Sequence, residues 1–265
     1  MSDIRTVLAI AGSDPSGGAG IQADLKTFGA LGVYGLSAIT AVTVQNTMGV
    51  TDILPLEADL VIAQIEALAG DIGVHATKTG MLANAAIVEA VAAAIKELDL
   101  PMVVVDPVMV SKSGARLLDD DGILMLRGEL IPRALVVTPN IPEAEVLSGR
   151  RISSMEDARA AASEIHHIGG SAVVITGGHA EGDQVVDLLF DDGMFTELQT
   201  TRIDTRNTHG TGCTFASAIA ADLARGHSLL DAVVHAQAYV AGALEHARPI
   251  GHGHGPLNHF WKTDI

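Results

Sequence analysis

The sequence predicts a single α/β domain over residues 1–265, with a central, mostly parallel β-sheet flanked by helices. Three observations predict it. Apolar runs of strand length alternate with segments of helical period from one end to the other, the pattern of βαβ units. The strand-like runs are almost continuously apolar, as in a parallel sheet covered on both faces. Hydrophobic residues make up 48% of the 265-residue chain and charged ones 18%, a balance that excludes a disordered chain. Neither a repeat, nor a low-complexity linker, nor a composition break divides it.

Taken in order, Thr6–Ala11 is a short apolar run ending at Gly12, and Gly20–Leu31 is a helix closed by Gly32. Leu36–Val44 is rich in β-branched residues and reads as a strand. Helical spacing of Leu60, Val61, Ile65 and Leu68 predicts a helix over Glu57–Ala69. His75–Met81 is a short strand, and Ala85–Leu98 carries the apolar stripe of a helix. Met102–Val105 and Leu135–Val137 are apolar runs that stop at Asp106-Pro107 and Thr138-Pro139. Ser154 caps a helix over Ser154–Ile168, with Asp157 three residues on. Ala172–Ile175 is a strand stopped by Thr176-Gly177-Gly178, and Val185–Phe190 with Phe195–Thr200 forms a hairpin around Asp191-Asp192-Gly193. Thr211–Arg225 and Ser228–Glu245 are the closing helices.

Composition narrows the function classes. Sixteen basic against 32 acidic residues leave a charge of −16, which argues against nucleic acid as a partner, since phosphate backbones are held by a surplus of Lys and Arg. The single cysteine, Cys213, has no partner for an intramolecular disulfide, as expected in a reducing cytoplasm. No run approaches the roughly 18–20 apolar residues of a membrane span, and the N-terminal run is too short for a signal peptide. A two-fold dimer is the expected assembly for such an enzyme.

In open parallel sheets, ligands sit beyond the carboxyl ends of the strands. Those positions are rich in Gly, Pro, Asp, Asn, Gln and Thr here. The first glycine cluster, Gly12 to Gly20, lacks the lysine of a phosphate-binding P-loop and the spacing of a dinucleotide fingerprint, so it is a strand-to-helix turn of a third kind. The second, Gly210-Thr211-Gly212, opens a strongly periodic helix, so backbone N–H groups and the positive helix end converge there on an anion site. Cys213 follows directly, where the helix dipole favours its thiolate and makes it a proton acceptor near neutral pH. An anion hole beside a base suits phosphoryl transfer to an alcohol. Asp106 stands where a carboxylate faces a cleft, and Glu143 is either a Mg²⁺ ligand through water or an acid stabilising its own helix. Lys78 either neutralises phosphate or is an ordinary solvated lysine. Of the eleven histidines, His166, His167, His252 and His254 lack a third ligand at recognisable metal spacing, whereas His209 flanks the anion-binding turn.

In order and spacing, these motifs resemble the hydroxymethylpyrimidine/phosphomethylpyrimidine kinases of thiamine biosynthesis, in the ribokinase-like superfamily. The carrying segments are Ala11 through Thr27, Val44-Gln45-Asn46-Thr47, Lys78-Thr79-Gly80-Met81, Asp106-Pro107-Val108-Met109, Thr138 through Glu143 and Asn207 through Thr214. The resemblance implies a ribokinase-like sandwich. It also implies that ATP, with Mg²⁺, phosphorylates 4-amino-5-hydroxymethyl-2-methylpyrimidine and then its monophosphate. It assigns Gly12, Asp24, Val44, Gln45, Met81 and Val108 to the substrate, with Gln45 on the polar ring edge and Val44, Met81 and Val108 on the ring faces. Lys78, Asp106, Asn140, Glu143, Thr176, Gly178 and His209 fall to the nucleotide, with Asp106 and Glu143 at the Mg²⁺. Gly210, Thr211 and Gly212 form the anion hole, and Cys213 takes the hydroxyl proton. Two departures stand out: many ribokinase-like enzymes carry Asp at the position of Cys213, and some relatives carry Lys at that of Thr176. The alternative reading is a vitamin B6 (pyridoxal) kinase of the same branch.

Overall fold

The structure, a computed structural model, describes residues 4–178 and 183–262. The first βαβ unit is β1 (Thr6–Ser13), α1 (Gly20–Ala30) and β2 (Tyr34–Asn46), followed by β3 (Gly49–Pro55) and α2 (Ala58–Asp71). Next come β4 (Ala76–Thr79), α3 (Ala85–Glu97), β5 (Val103–Val105), α4 (Asp120–Met125), β6 (Val136–Val137), α5 (Ile141–Ser148) and α6 (Met155–Ile168). The last part is β7 (Ala172–Gly178), β8 (Gln184–Asp191), β9 (Met194–Thr201), α7 (Thr211–Ala224) and α8 (Leu229–Glu245).

The strands form one sheet in the order β3-β2-β1-β4-β5-β6-β7-β8-β9. Pairing is parallel from β2 across to β7 and antiparallel at β2–β3, β7–β8 and β8–β9. Alternation along β1 explains why both faces are covered. Leu8 and Ile10 point into one core, with α2, α3, α5 and α6 over them, while Val7, Ala9 and Ala11 point into the other, beneath α1, α7 and α8. Every one of these five side chains is at most 1% exposed, so the period-2 pattern is apolar on both sides. Among the described residues, no helix is long and apolar enough to cross a membrane.

The predicted elements are present, and three others join them. β3 is an edge strand with little burial on either face, so its residues carry no apolar alternation to read. α5 spans 8 residues and is fixed by a capping box: Glu143 N donates to Asn140 Oδ1 (3.0 Å) and Asn140 N donates to Glu143 Oε2 (2.9 Å). α4 and the π-helical and 3-10 turns after it, Leu126–Leu130 and Ile131–Arg133, lie between β5 and β6, in a stretch too short in period to declare itself.

The chain order leaves β1 first towards β2 and later returns to β4 on the other side. Strand order therefore reverses between β1 and β4, and a crevice opens at their carboxyl ends. Beneath that crevice lies a buried ion pair. Lys78 on β4 and Asp24 on α1 are both fully buried, and Lys78 Nζ donates to both Asp24 oxygens at 2.9 and 3.0 Å. Ser217 Oγ on α7 donates to Asp24 Oδ1 at 2.7 Å, and Asp106 Oδ2 lies 3.9 Å from Lys78 Nζ. Lys78 is thus neither a solvated lysine nor a group on the wall of the crevice. Burial alone would push its pKa down, but the charges around it, that of Asp24 foremost, together with the Asp24 hydrogen bond outweigh that and hold it above the ordinary lysine value.

Removing one partner strands the other in a medium of low dielectric. Asp24→Ala should lower unfolding free energy by about 3–5 kcal/mol, and adding Lys78→Met should recover most of the loss. Urea denaturation measures both, and a single variant within 1 kcal/mol of wild type (roughly the worth of an exposed pair) would contradict the assignment.

Candidate active site

An open cleft of ≈ 910 Å³ lies at the carboxyl ends of β1, β4, β5, β6 and β7. Its walls are built by the turns that end those strands and by the turn that begins α7. Gly12, Gln45, Met81 and Val108 line it, as do Asp106, Asn140, Glu143, Thr176, His209, Gly210, Thr211, Gly212 and Cys213. The structure therefore brings together most of the residues that the sequence singles out, from segments up to 200 positions apart.

Among the described side chains, Asp24, Lys78 and Val44 do not reach the wall. Asp24 and Lys78 form the buried pair below it. Gly178 is the last residue of β7. Val44 is 59% exposed, because successive strand side chains point to opposite faces and Gln45 takes the cleft side; the expectation that Val44 packs on the ligand within its own chain does not hold in this geometry. Conversely, the loop after β5 contributes Val110, Ser111 and Lys112, which sequence reasoning missed. The polar run Ser111-Lys112-Ser113-Gly114 just past a strand end was the available signal. Lys112, unlike Lys78, is a cation on the cleft wall.

The turn into α7 is shaped by glycine. Gly210 has φ +85°, and a Cβ there would lie 1.8 Å from the carbonyl oxygen of Gly18, so the two glycine clusters touch. No side chain caps this helix, and its first-turn N–H groups have no intrahelical acceptors. They and the helix dipole face the cleft as an anion site.

Cys213 is half-buried on the first turn of α7. Burial pushes its thiol up to about 12; Lys78 opposes this, and the charges of Asp106 and Asp24 add to it. It is a neutral thiol, hydrogen-bonded to the Asp106 carboxylate. The expected thiolate is therefore not the resting form: desolvation and two neighbouring carboxylates outweigh the helix dipole. Burial likewise lifts the Asp106 carboxyl to about 6 and, with the nearby Asp106 charge, that of Glu143 to about 8. Asp106 Oδ2 is buried without a hydrogen-bond partner. Two buried carboxyl groups whose ionised forms lack compensation, one with an unpartnered oxygen, suit a hard divalent cation such as Mg²⁺, although Glu143 also performs the helix-capping role that its position allowed.

On the opposite wall, the Asp14 carboxylate accepts from Ser16 N, Ser16 Oγ and Ala19 N, each at 2.9 Å, and from His209 Nε2 at 2.8 Å. Burial opposes ionisation of Asp14, yet the hydrogen bonds of His209 and Ser16 hold its pKa below the usual value. The Gln45 amide lies 3.3 Å from His209 Nε2, and Thr43 Oγ1 donates to Gln45 Oε1 at 3.1 Å. The Thr43 hydroxyl thus fixes the Gln45 amide oxygen, while His209 Nε2, which donates to Asp14, lies beside the amide without bonding it.

Comparison with known proteins bears on this arrangement. The family model described as phosphomethylpyrimidine kinase matches residues 14–258. The chain belongs to the phosphomethylpyrimidine kinase family. A hydroxymethylpyrimidine/phosphomethylpyrimidine kinase of Bacillus subtilis is 50% identical over 258 residues, covering 97% of this chain and 95% of the relative. Among solved structures, a Clostridium difficile phosphomethylpyrimidine kinase is 41% identical with a TM-score of 0.81, over 91% of this chain and 99% of that one. A Staphylococcus aureus pyridoxal kinase solved with AMP-PCP and pyridoxal is 38% identical with a TM-score of 0.90, over 99% and 96%. The ribokinase-like sandwich expected from the motifs is the observed fold.

The contact between the glycine clusters sets up a paired test. Gly210→Ala forces a Cβ against Gly18 in a left-handed backbone and should cost at least about 1–3 kcal/mol. At Gly212 a Cβ would meet only the Asp106 oxygens, at 3.9 and 4.0 Å, so Gly212→Ala should fold with nearly wild-type stability. Thermal denaturation of the two variants side by side checks this, and equal losses would contradict it.

Proposed function

We propose that this protein transfers the γ-phosphoryl group of Mg-bound ATP to the hydroxymethyl group of 4-amino-5-hydroxymethyl-2-methylpyrimidine, and then to the phosphate of the product. The place of the reaction is the cytoplasm, in thiamine biosynthesis. The carrying observation is the meeting, in one cleft, of an oriented amide at Gln45 with the anion site and thiol at Gly210–Cys213. The names of the relatives at about 50% identity support the same substrate.

In this reading Gln45, held by Thr43, engages the polar edge of the ring, with Met81 and Val108 against its faces. That pose directs the hydroxymethyl group at Cys213. The amides of Gly210–Gly212 receive the transferring phosphoryl group, where charge spreads over three oxygens, and Lys112 adds a positive charge from the loop after β5. Asn140 and Thr176 border the nucleotide. Asp106 Oδ2 and Glu143 would hold the Mg²⁺, which when bound shields the triphosphate charge. A neutral thiol can accept a proton only by giving one up. The hydroxyl proton therefore passes to Sγ while the Sγ–H proton passes to the Asp106 carboxylate; the hydroxyl oxygen bonds to phosphorus as the bond from phosphorus to the ADP oxygen breaks, and ADP leaves.

We propose also that the chain pairs with a second copy. Val42 and Leu54 face each other across β2 and β3, and together with Val44 and Met48 they are 45–66% exposed, an apolar face that a partner would cover. Sedimentation should give a dimer that Val44→Asp weakens; a monomer at all concentrations would refute it.

A pyridoxal kinase is the second reading, favoured by the near-complete superposition on the Staphylococcus aureus enzyme. ADP release with Mg-ATP separates the two. Both pyrimidines should turn over well above pyridoxal, whereas pyridoxal turning over best would move the activity to vitamin B6. In the same assay Cys213→Ala should lower kcat by about 10²–10⁴, the usual worth of a placed proton acceptor. A loss below about threefold would remove Cys213 from that role.

A further inference from the structure

At the end of α7 remote from the cleft, three further side chains converge. Asp222 lies in the last turn of α7, His227 in the link to α8, and His235 on α8. One ligand atom of each lies within 4.8 Å of the other two. His235 Nδ1 donates to Asp222 Oδ2 at 2.6 Å, and the two imidazole rings meet edge to face with centroids 5.3 Å apart. The backbone brings them together: His227 N donates to the Asp222 carbonyl at 3.2 Å, so the turn folds His227 back over the last turn of the helix. Asp222 is 5% exposed, while both histidines are open to solvent. A groove that also includes Tyr239 adjoins them.

We propose that Asp222, His227 and His235 form a site for a late transition-metal dication of the zinc type, separate from the cleft. Two imidazoles and one carboxylate form a borderline N/O donor set that suits Zn²⁺ and disfavours Mg²⁺. Tetrahedral bonds of about 2.0–2.1 Å set ligand atoms about 3.3 Å apart. The 2.6 Å pair must open slightly and His227 must close in, which exposed rotamers allow; water takes the fourth position. Arg225 Nη1 stands 3.7 Å from Asp222 Oδ1 and leaves Oδ2 to the cluster. Sequence spacing concealed the site, because Asp222 and His235 are 13 positions apart and only the α7–α8 hairpin brings them together. The bound ion would clip the two helices at their junction, 11 residues along α7 from Thr211.

The probe is Zn²⁺ alone, titrated calorimetrically into the full chain with excess Mg²⁺ present, for wild type, His227→Ala and His235→Gln. Wild type should bind one Zn²⁺ that each variant loses or binds at least tenfold more weakly. Zn²⁺ should also raise the Tm of wild type more than that of either variant. Without Zn²⁺, both variants should keep kinase activity within about twofold of wild type, since neither residue belongs to the cleft. Identical titrations for all three proteins, or no Zn²⁺ uptake by wild type, would overturn the proposal.

Discussion

One buried ammonium organises the floor of the cleft. Lys78 on β4 is bound by Asp24 of α1, which Ser217 of α7 also grips, and it lies 3.9 Å from Asp106 beyond β5. Four elements that meet at the strand-order reversal are therefore tied to a single charge. Such an arrangement is costly to desolvate, and a hydrophobic replacement of the pair would serve stability as well or better. What the charge provides is electrostatic: it is the nearby positive group that draws down the Cys213 thiol and the Asp106 carboxyl. Without it, both would sit higher still.

The active site then follows from two glycine-rich turns laid against each other. Gly18 and Gly210 approach so closely that a Cβ at Gly210 would overlap the Gly18 carbonyl. This contact joins the substrate-facing wall, with Asp14, His209 and Gln45, to the anion site at the start of α7. In the proposed reaction, recognition of a ring edge and stabilisation of a phosphoryl group would thereby be held at a fixed separation. A transfer reaction that relies on positioning and electrostatics rather than covalent chemistry requires that rigidity.

Much of this was legible in the sequence. The alternation of apolar runs and helical stripes located the strands of the parallel sheet, and the rule that ligands gather at strand ends picked out Gly12, Gln45, Met81, Asp106, Asn140 and Thr176, all on the cleft wall. Gly210–Cys213 was readable because glycines precede a periodic helix. The misses have physical causes. Lys78 and Asp24 are 54 positions apart, and nothing local announces a buried pair. The thiol's protonation depends on burial, which a helix-dipole argument leaves out. Val44 was placed on the wrong side, although period-2 alternation with Gln45 contained the answer. β3 and α5 are held by an edge pairing and a capping box rather than by an apolar pattern.

The central claim is that the start of α7 receives the transferring phosphoryl group while Gln45 and Cys213 hold the acceptor. A crystal structure of the chain with AMP-PCP, Mg²⁺ and hydroxymethylpyrimidine tests it most directly. The terminal phosphonate should accept hydrogen bonds from the backbone amides between Gly210 and Cys213, with the hydroxymethyl oxygen within hydrogen-bond distance of Sγ and the ring edge on Gln45. A nucleotide seated elsewhere, or a pyrimidine that does not touch Gln45, would contradict the account.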